Sequence, residues 1–226
     1  IAMSAIDIAL WDIRGKEECQ PISELLGGRK RDRVRAYATM NLLMTSALTG
    51  DTFEIKLRNL MDQGFKAIKL SIDNFGHRES SKSDSEWDLC EARLLESART
   101  IVGDNIELML DVYGSNPDWT PDFDWAAKTT KVLEGLDYLW FEEPLTPGAF
   151  DDYVRLTQRS NIAIAGGEDL VLAKDFEKLS KLKAVNILQP DCTRVGGLTT
   201  MLSIRLAATQ NNINLIPHGW NTAVGL

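Results

Sequence analysis

Three carboxylates stand where short apolar runs end: Leu108-Met109-Leu110-Asp111, Leu139-Trp140-Phe141-Glu142-Glu143-Pro144 and Ile164-Ala165-Gly166-Gly167-Glu168-Asp169. If the runs are neighbouring parallel strands, Asp111, Glu142 and Glu168 converge at one end of the sheet. Like charges brought together there repel strongly, so a cation belongs among them. Hard oxygen ligands in that number suit Mg²⁺, which keeps positions for water or substrate. Each motif is ambiguous alone, because a strand-final Asp also caps a following helix and Glu-Glu-Pro also makes a solvated turn. The metal reading rests on three such ends in succession.

Two more run ends carry acid–base candidates, Leu188-Gln189-Pro190-Asp191 and Ile216-Pro217-His218-Gly219. An Asp beside a His fixes the imidazole tautomer and raises its basicity. A lone His in a polar turn is ordinarily a surface residue. This chain has only two histidines, however, and His218 closes a candidate strand, whereas His77 lies in a polar loop. In Lys66-Ala67-Ile68-Lys69-Leu70-Ser71, alternation puts Lys69 and Ser71 on one face, opposite Ile68 and Leu70. If that face is interior, Lys69 is a buried cation near the carboxylates. It could orient them, hold an anionic substrate or act as a base once its pKa is lowered.

The elements that must position these residues alternate along the chain. Strand-like runs are Val34–Thr39, Ala67–Ile72, Ile106–Asp111, Tyr138–Phe141, Ile162–Ala165, Val185–Leu188 and Asn214–Ile216. Between them, helical periodicity marks Thr52–Gln63, Ser85–Val102, Trp125–Leu133, Phe150–Arg159, Ala173–Leu182 and Leu198–Gln210. Short buried strands alternating with amphipathic helices indicate an α/β fold with a parallel sheet. Acids at several successive strand ends favour a (β/α)₈ TIM barrel. A doubly wound sheet would place a Gly-rich loop after its first strand, and none follows Thr39. The opening segment differs, with Ala2, Ala5, Ile6, Ala9, Leu10 and Ile13 on one helix face and Gly15 as the expected stop. A second short helix ends at Leu25-Leu26-Gly27-Gly28. The polar loop Asp73–Ser85 is either a lid or a solvated excursion.

Bulk properties narrow the partners. A net charge of −8 over 226 residues argues against a nucleic-acid groove or an anionic membrane surface. An anionic substrate stays open, because a bound divalent cation reverses the local field. Three scattered cysteines without a CxxC pair read as reduced thiols in a cytoplasmic protein. No apolar stretch approaches the roughly 18 residues of a membrane span. The chain begins at Ile1 and stops at Leu226 inside an apolar segment, so both ends read as cut.

The set SAIDIALWDIRGK, ELLGG, GFKAIKL, LMLDVYGS, WFEEPL, GGEDL, QPDCTRVGG and PHGWN resembles the mandelate racemase branch of the enolase superfamily, across nearly the whole chain. The resemblance implies an active-site Mg²⁺ that holds a substrate carboxylate, a base that removes the α proton, and an enediolate intermediate. It implies Asp111, Glu142 and Glu168 as metal ligands, His218 with Asp191 as the dyad, and Lys69 as a further catalytic residue. Tyr113, Ser71, Arg194 and Trp220 are the substrate-contact candidates. It also implies a small-molecule carboxylate substrate and a homo-oligomer. Residues 1–30 are then the helical link to an α+β capping domain and residues 31–226 a partial barrel of seven strands. The eighth strand and most of the cap are absent from that reading.

One departure bears on the chemistry. The branch often has Lys-x-Lys at the second strand end, and here the second position is Ser71. Ser71 is a poor base, which disfavours two-base racemisation. Dehydration of a sugar acid to a 2-keto-3-deoxy acid needs only His218 on one face. The alternatives are a racemase, epimerase or cycloisomerase of the same superfamily, and a non-catalytic barrel that keeps metal or ligand binding.

Overall fold

A computed structural model describes residues 1–43, 51–73, 84–116 and 121–219. His77, Trp220 and residues 74–83 of the polar loop lie outside them. The described chain alternates strands and helices and forms two compact units.

The larger unit comprises Ala36–Gly166 and Ala184–Asn186. It holds β1 (Ala38–Leu43), β2 (Ala67–Asp73), β3 (Glu107–Asp111), β4 (Trp140–Glu142) and β5 (Ala163–Gly166). Each strand pairs in parallel with the next, as helical crossovers between consecutive strands require. Those crossovers are α3 (Asp51–Asp62), α4 (Asp84–Val102), α5 (Phe123–Gly135) and α6 (Phe150–Arg159). Both strand faces are buried, with Ile68, Leu70, Leu108 and Leu110 fully so, which explains the near-continuous apolar runs. Asp122 caps α5, its side chain accepting from the Asp124 amide at 2.6 Å.

The smaller unit comprises Ile1–Arg35, Gly167–Lys183 and Ile187–Leu226. Its described elements are α1 (Ala2–Glu17), α2 (Ile22–Leu25), α7 (Ala173–Leu182), β6 (Ile187–Leu188), α8 (Gly197–Asn211) and β7 (Asn214–Leu215). Strands β6 and β7 are parallel, pairing Ile187 with Asn214 and Leu188 with Leu215. Helix α1 meets α8 through polar and small residues. Ser4 Oγ accepts from the Gly196 amide at 2.9 Å, Asp7 from the Thr199 amide at 3.0 Å, and Trp11 donates to Thr199 Oγ1 at 3.0 Å.

Two expectations need correction. The first strand is Ala38–Leu43, four residues beyond Val34–Thr39, because pairing of Ala38 with Ile68 through Leu43 with Asp73 sets its bounds. Gly15 does not stop α1, which runs to Glu17. Its lack of a side chain serves a close approach instead, since a Cβ there would sit 3.0 Å from the Gln20 carbonyl oxygen. Ile6, Leu10 and Ile13 do share a face, but in this unit it is exposed. Among the described residues, no helix is long and apolar enough to cross a membrane.

Arg99 ties the α4–β3 turn to the α5–β4 turn. Its guanidinium donates to the carbonyls of Gly103, Ile106, Leu136 and Asp137 at 2.8–2.9 Å. Removing such a donor set leaves part-buried carbonyls to find water, so Arg99→Met is expected to cost about 2 kcal/mol. Urea denaturation measures it, and an unchanged midpoint would mean that solvent replaces the guanidinium without loss.

Candidate active site

In the larger unit, register does most of the positioning. Asn41 pairs with Ser71, Ser71 with Asp111 and Asp111 with Glu142, so four polar residues form one row across β1–β4. Lys69, two residues before Ser71, reaches this row from below. Its Nζ lies 2.5 Å from Glu142 Oε1 and 3.2 Å from Asp111 Oδ2. Ser71 Oγ donates to Asp111 Oδ2 at 3.0 Å, and the Tyr113 amide donates to Asp111 Oδ1 at 3.2 Å. The indole of Trp140 donates to Glu142 Oε2 at 2.9 Å.

All four charged or hydroxylic groups here are buried: Lys69 is 5% exposed, Ser71 1%, Asp111 2% and Glu142 0%. Burial by itself lowers a lysine pKa. Here the charges of Glu142 and Asp111, helped by Tyr37 and the hydrogen bond to Glu142, outweigh it and raise the Lys69 ammonium well above its ordinary value. Of the three roles open to Lys69, its contacts with both carboxylates suit orienting them. The Tyr37 ring completes its surroundings, 5.7 Å from Nζ and edge-on to Trp140.

Tyr113 takes a left-handed backbone, φ 52°, and its hydroxyl donates to Asn41 Oδ1 at 3.3 Å. The neighbouring loops interlock at Gly114, whose amide donates to the Glu143 carbonyl at 2.9 Å. A Cβ at Gly114 would lie 2.2 Å from that oxygen, so only glycine fits.

In the smaller unit, the 27-residue offset of β6 and β7 continues past the strands to a bridge between Asp191 and His218. The His218 amide donates to the Pro190 carbonyl at 3.2 Å, which sets the imidazole beside the carboxylate. His218 Nδ1 lies 2.8 Å from Asp191 Oδ2, and Nε2 lies 3.6 Å from Glu168 Oε2. Burial would raise the Asp191 carboxyl, but the Thr193 hydroxyl and amide, each 2.7 Å from Oδ1, and His218 hold it below the ordinary range. Arg194 pairs with Asp169, donates to the Glu168 carbonyl at 3.2 Å, and has Nε 3.9 Å from Asp191 Oδ2.

The predicted site residues thus fall into two sets, Lys69, Ser71, Asp111, Tyr113 and Glu142 in one unit and Glu168, Asp191, Arg194 and His218 in the other. Among the described residues, no group of three or more His, Cys, Asp and Glu is spaced to hold a metal ion. The sequence reading missed Trp140, Thr193, Asp169 and Tyr37. Trp140 was within its reach, since residues two apart on a strand share a face. Thr193 also has a local signal, an Asp-x-Thr turn in which the hydroxyl bonds back. Asp169 and Tyr37 have none, because their partners are distant in sequence.

A lysine removed from between two buried carboxylates leaves them uncompensated. Lys69→Met is therefore expected to lose about 3 kcal/mol of stability or more. Thermal unfolding with and without Mg²⁺ checks this, and a variant as stable as the parent would show the carboxylates to be protonated or hydrated.

Comparison with known proteins gives this arrangement a context. Residues 53–226 match the family model described as enolase C-terminal domain-like, and residues 1–27 match the mandelate racemase/muconate lactonizing enzyme N-terminal domain. The chain is 34% identical to the D-galactarolactone cycloisomerase of Agrobacterium fabrum, over 99% of this chain and 54% of that protein. It is 33% identical to the arabinonate dehydratase of Saccharolobus solfataricus, over 96% of this chain and 53% of that protein. The crystal structure of L-talarate dehydratase from Polaromonas sp. JS666 complexed with Mg and L-glucarate superposes with a TM-score of 0.79 at 27% identity, covering 99% of this chain and 58% of that one. The chain spans about half the length of the curated relatives it matches. Its parallel βα units are those of an enolase-superfamily barrel, and the chain belongs to the mandelate racemase/muconate lactonizing enzyme family.

Proposed function

We propose that the protein removes the proton α to the carboxylate of a sugar acid in a Mg²⁺-dependent reaction that dehydrates the acid to a 2-keto-3-deoxy acid. The observation that carries this reading is the Asp191–His218 pair at 2.8 Å. Donation from Nδ1–H to the carboxylate leaves the Nε2 lone pair as the base. Asp191 is held ionised by Thr193, so it stabilises the imidazolium that forms.

We assign Asp111, Glu142 and Glu168 as the metal ligands. The fit is supported by hard oxygen donors at three strand ends and by the way Asp111 and Glu142 already share a cation, Lys69. When bound, Mg²⁺ would offset the negative charge that grows on the substrate carboxylate as the proton leaves. Lys69 holds Glu142 and Asp111 in place, and Ser71 and Tyr113 face the same row as candidate substrate contacts.

The proton balance closes on one residue. His218 takes the α proton, the Cα–Cβ double bond forms, and the β C–O bond breaks. The imidazolium returns its proton to the departing hydroxyl as water, and the enol then tautomerises to the keto acid. Ser71 offers no second base on its strand, which favours this one-base route over racemisation. A second reading, cycloisomerisation, begins with the same proton abstraction and is favoured by the 34% identity to a D-galactarolactone cycloisomerase.

The test incubates the whole protein with Mg²⁺ and a library of sugar acids in D₂O, followed by NMR. A 2-keto-3-deoxy product is expected. Stereoinversion with deuterium at Cα and no keto acid would eliminate dehydration, and lactone-ring isomerisation would select the second reading. His218→Asn is expected to slow turnover by about 10²–10⁴-fold, the range for a general acid–base group. An unchanged rate would remove His218 from the chemistry. Chelation should abolish turnover, with Mg²⁺ restoring it, and Asp111→Asn should weaken Mg²⁺ binding by more than about tenfold in calorimetry.

A further inference from the structure

Arg194 occupies a place that the proton-abstraction scheme does not use. One guanidinium nitrogen serves two acceptors on the segment after β5, the Glu168 carbonyl at 3.2 Å and the Asp169 carboxylate. The Nε edge faces Asp191 Oδ2 at 3.9 Å. On the far side of Asp191 stands His218, whose Nε2 returns to within 3.6 Å of Glu168 Oε2. The four groups close a circuit: Glu168 side chain, His218, Asp191, Arg194 and back to the Glu168 backbone.

That segment is a turn, with Glu168 buried. It leaves β5 through Gly167 at φ 112°, has no regular structure at Glu168–Asp169, and turns on a Leu170 amide to Gly167 carbonyl bond of 3.2 Å. Arg194 is anchored, because its amide and that of Val195 both donate to the Asp191 carbonyl at 2.9 and 3.0 Å. A planar guanidinium can therefore transmit the position of the Asp191 turn to the Glu168 segment.

We propose that Arg194 is a positioning residue that clamps the Glu168–Asp169 segment to the Asp191–His218 dyad, so that a metal-ligand strand end and the base keep one geometry. This rests on the proton-abstraction reading for its consequence in catalysis. It differs from a substrate-contact role, because the Nη1 donors face Asp169 and the Glu168 carbonyl.

The experiment compares the whole Mg²⁺-loaded protein with its Arg194→Gln, Asp169→Asn and double variants. One readout is kcat and KM for turnover of the sugar acid. The other is the far-downfield proton resonance of the His218 Nδ1–H to Asp191 hydrogen bond, which needs no turnover. Arg194→Gln is expected to lower kcat by about 10²-fold with KM within about threefold, as misplacement of a reacting group does. The resonance should broaden or vanish, and the double variant should be no worse than Arg194→Gln alone, since both changes break one contact. A tenfold rise in KM with kcat unchanged would make Arg194 a substrate contact and overturn the proposal, as would a parental resonance in Arg194→Gln. Should Arg194→Gln fail to fold, Asp169→Asn decides: parental kcat and resonance there overturn it, and loss of both upholds it. A parent protein that neither exchanges the α proton nor forms a keto acid sinks the proton-abstraction reading instead, while the resonance still reports on the clamp.

Discussion

A carboxylate taken out of water must meet a cation or several hydrogen-bond donors, and the layout of this molecule follows from that requirement. Asp111, Glu142 and Asp191 are each no more than 2% exposed. Asp111 is met by Lys69, Ser71 and the Tyr113 amide, and Glu142 by Lys69 and the Trp140 indole. Asp191 is met by Thr193 and His218. Replacing such sets with apolar packing would cost the fold little, whereas breaking one of them costs much. Their presence at strand ends is thus better understood as preparation for charge chemistry than as reinforcement of the core.

The two units meet the requirement differently. In the larger one, a single lysine serves two carboxylates and is held charged by them. In the smaller one, the acid is satisfied by a hydroxyl, an amide and an imidazole, which leaves one imidazole nitrogen outside that hydrogen bond. In the proposed reaction the fixed cation would orient and the imidazole would exchange the proton. Both proposed readings, dehydration and cycloisomerisation, would use that imbalance and diverge only after the α proton has moved.

Packing around the second set includes a polar contact between helices. Helix α1 supports the N-terminus of α8 through Ser4 and Asp7, directly after the turn that carries Asp191 and Arg194. Asp7 acts there as a cap lent by another helix, satisfying an amide that α8 cannot satisfy itself. The apolar residues of α1 point elsewhere. The position of the dyad thus depends on residues almost two hundred positions earlier in the chain.

Local pattern was enough to read the strands that end in Asp111 and Glu142, the strand that stops just before Glu168, the crossover helices, and the shared face of Lys69 and Ser71. These follow from periodicities of two and 3.6 residues, which are properties of a single segment. The first strand was misplaced because its bounds come from the register with β2, and Gly15 was misread because its reason is the Gln20 carbonyl. Residue types named His218 and Asp191 as partners, but the 2.8 Å between them is set by two strands paired at a 27-residue offset. The charge state of Lys69 and the engagement of Arg194 by Asp169 were likewise decided by the tertiary structure. Each depends on Coulomb or hydrogen-bond contact between residues from different segments, and sequence periodicity carries no distance between segments.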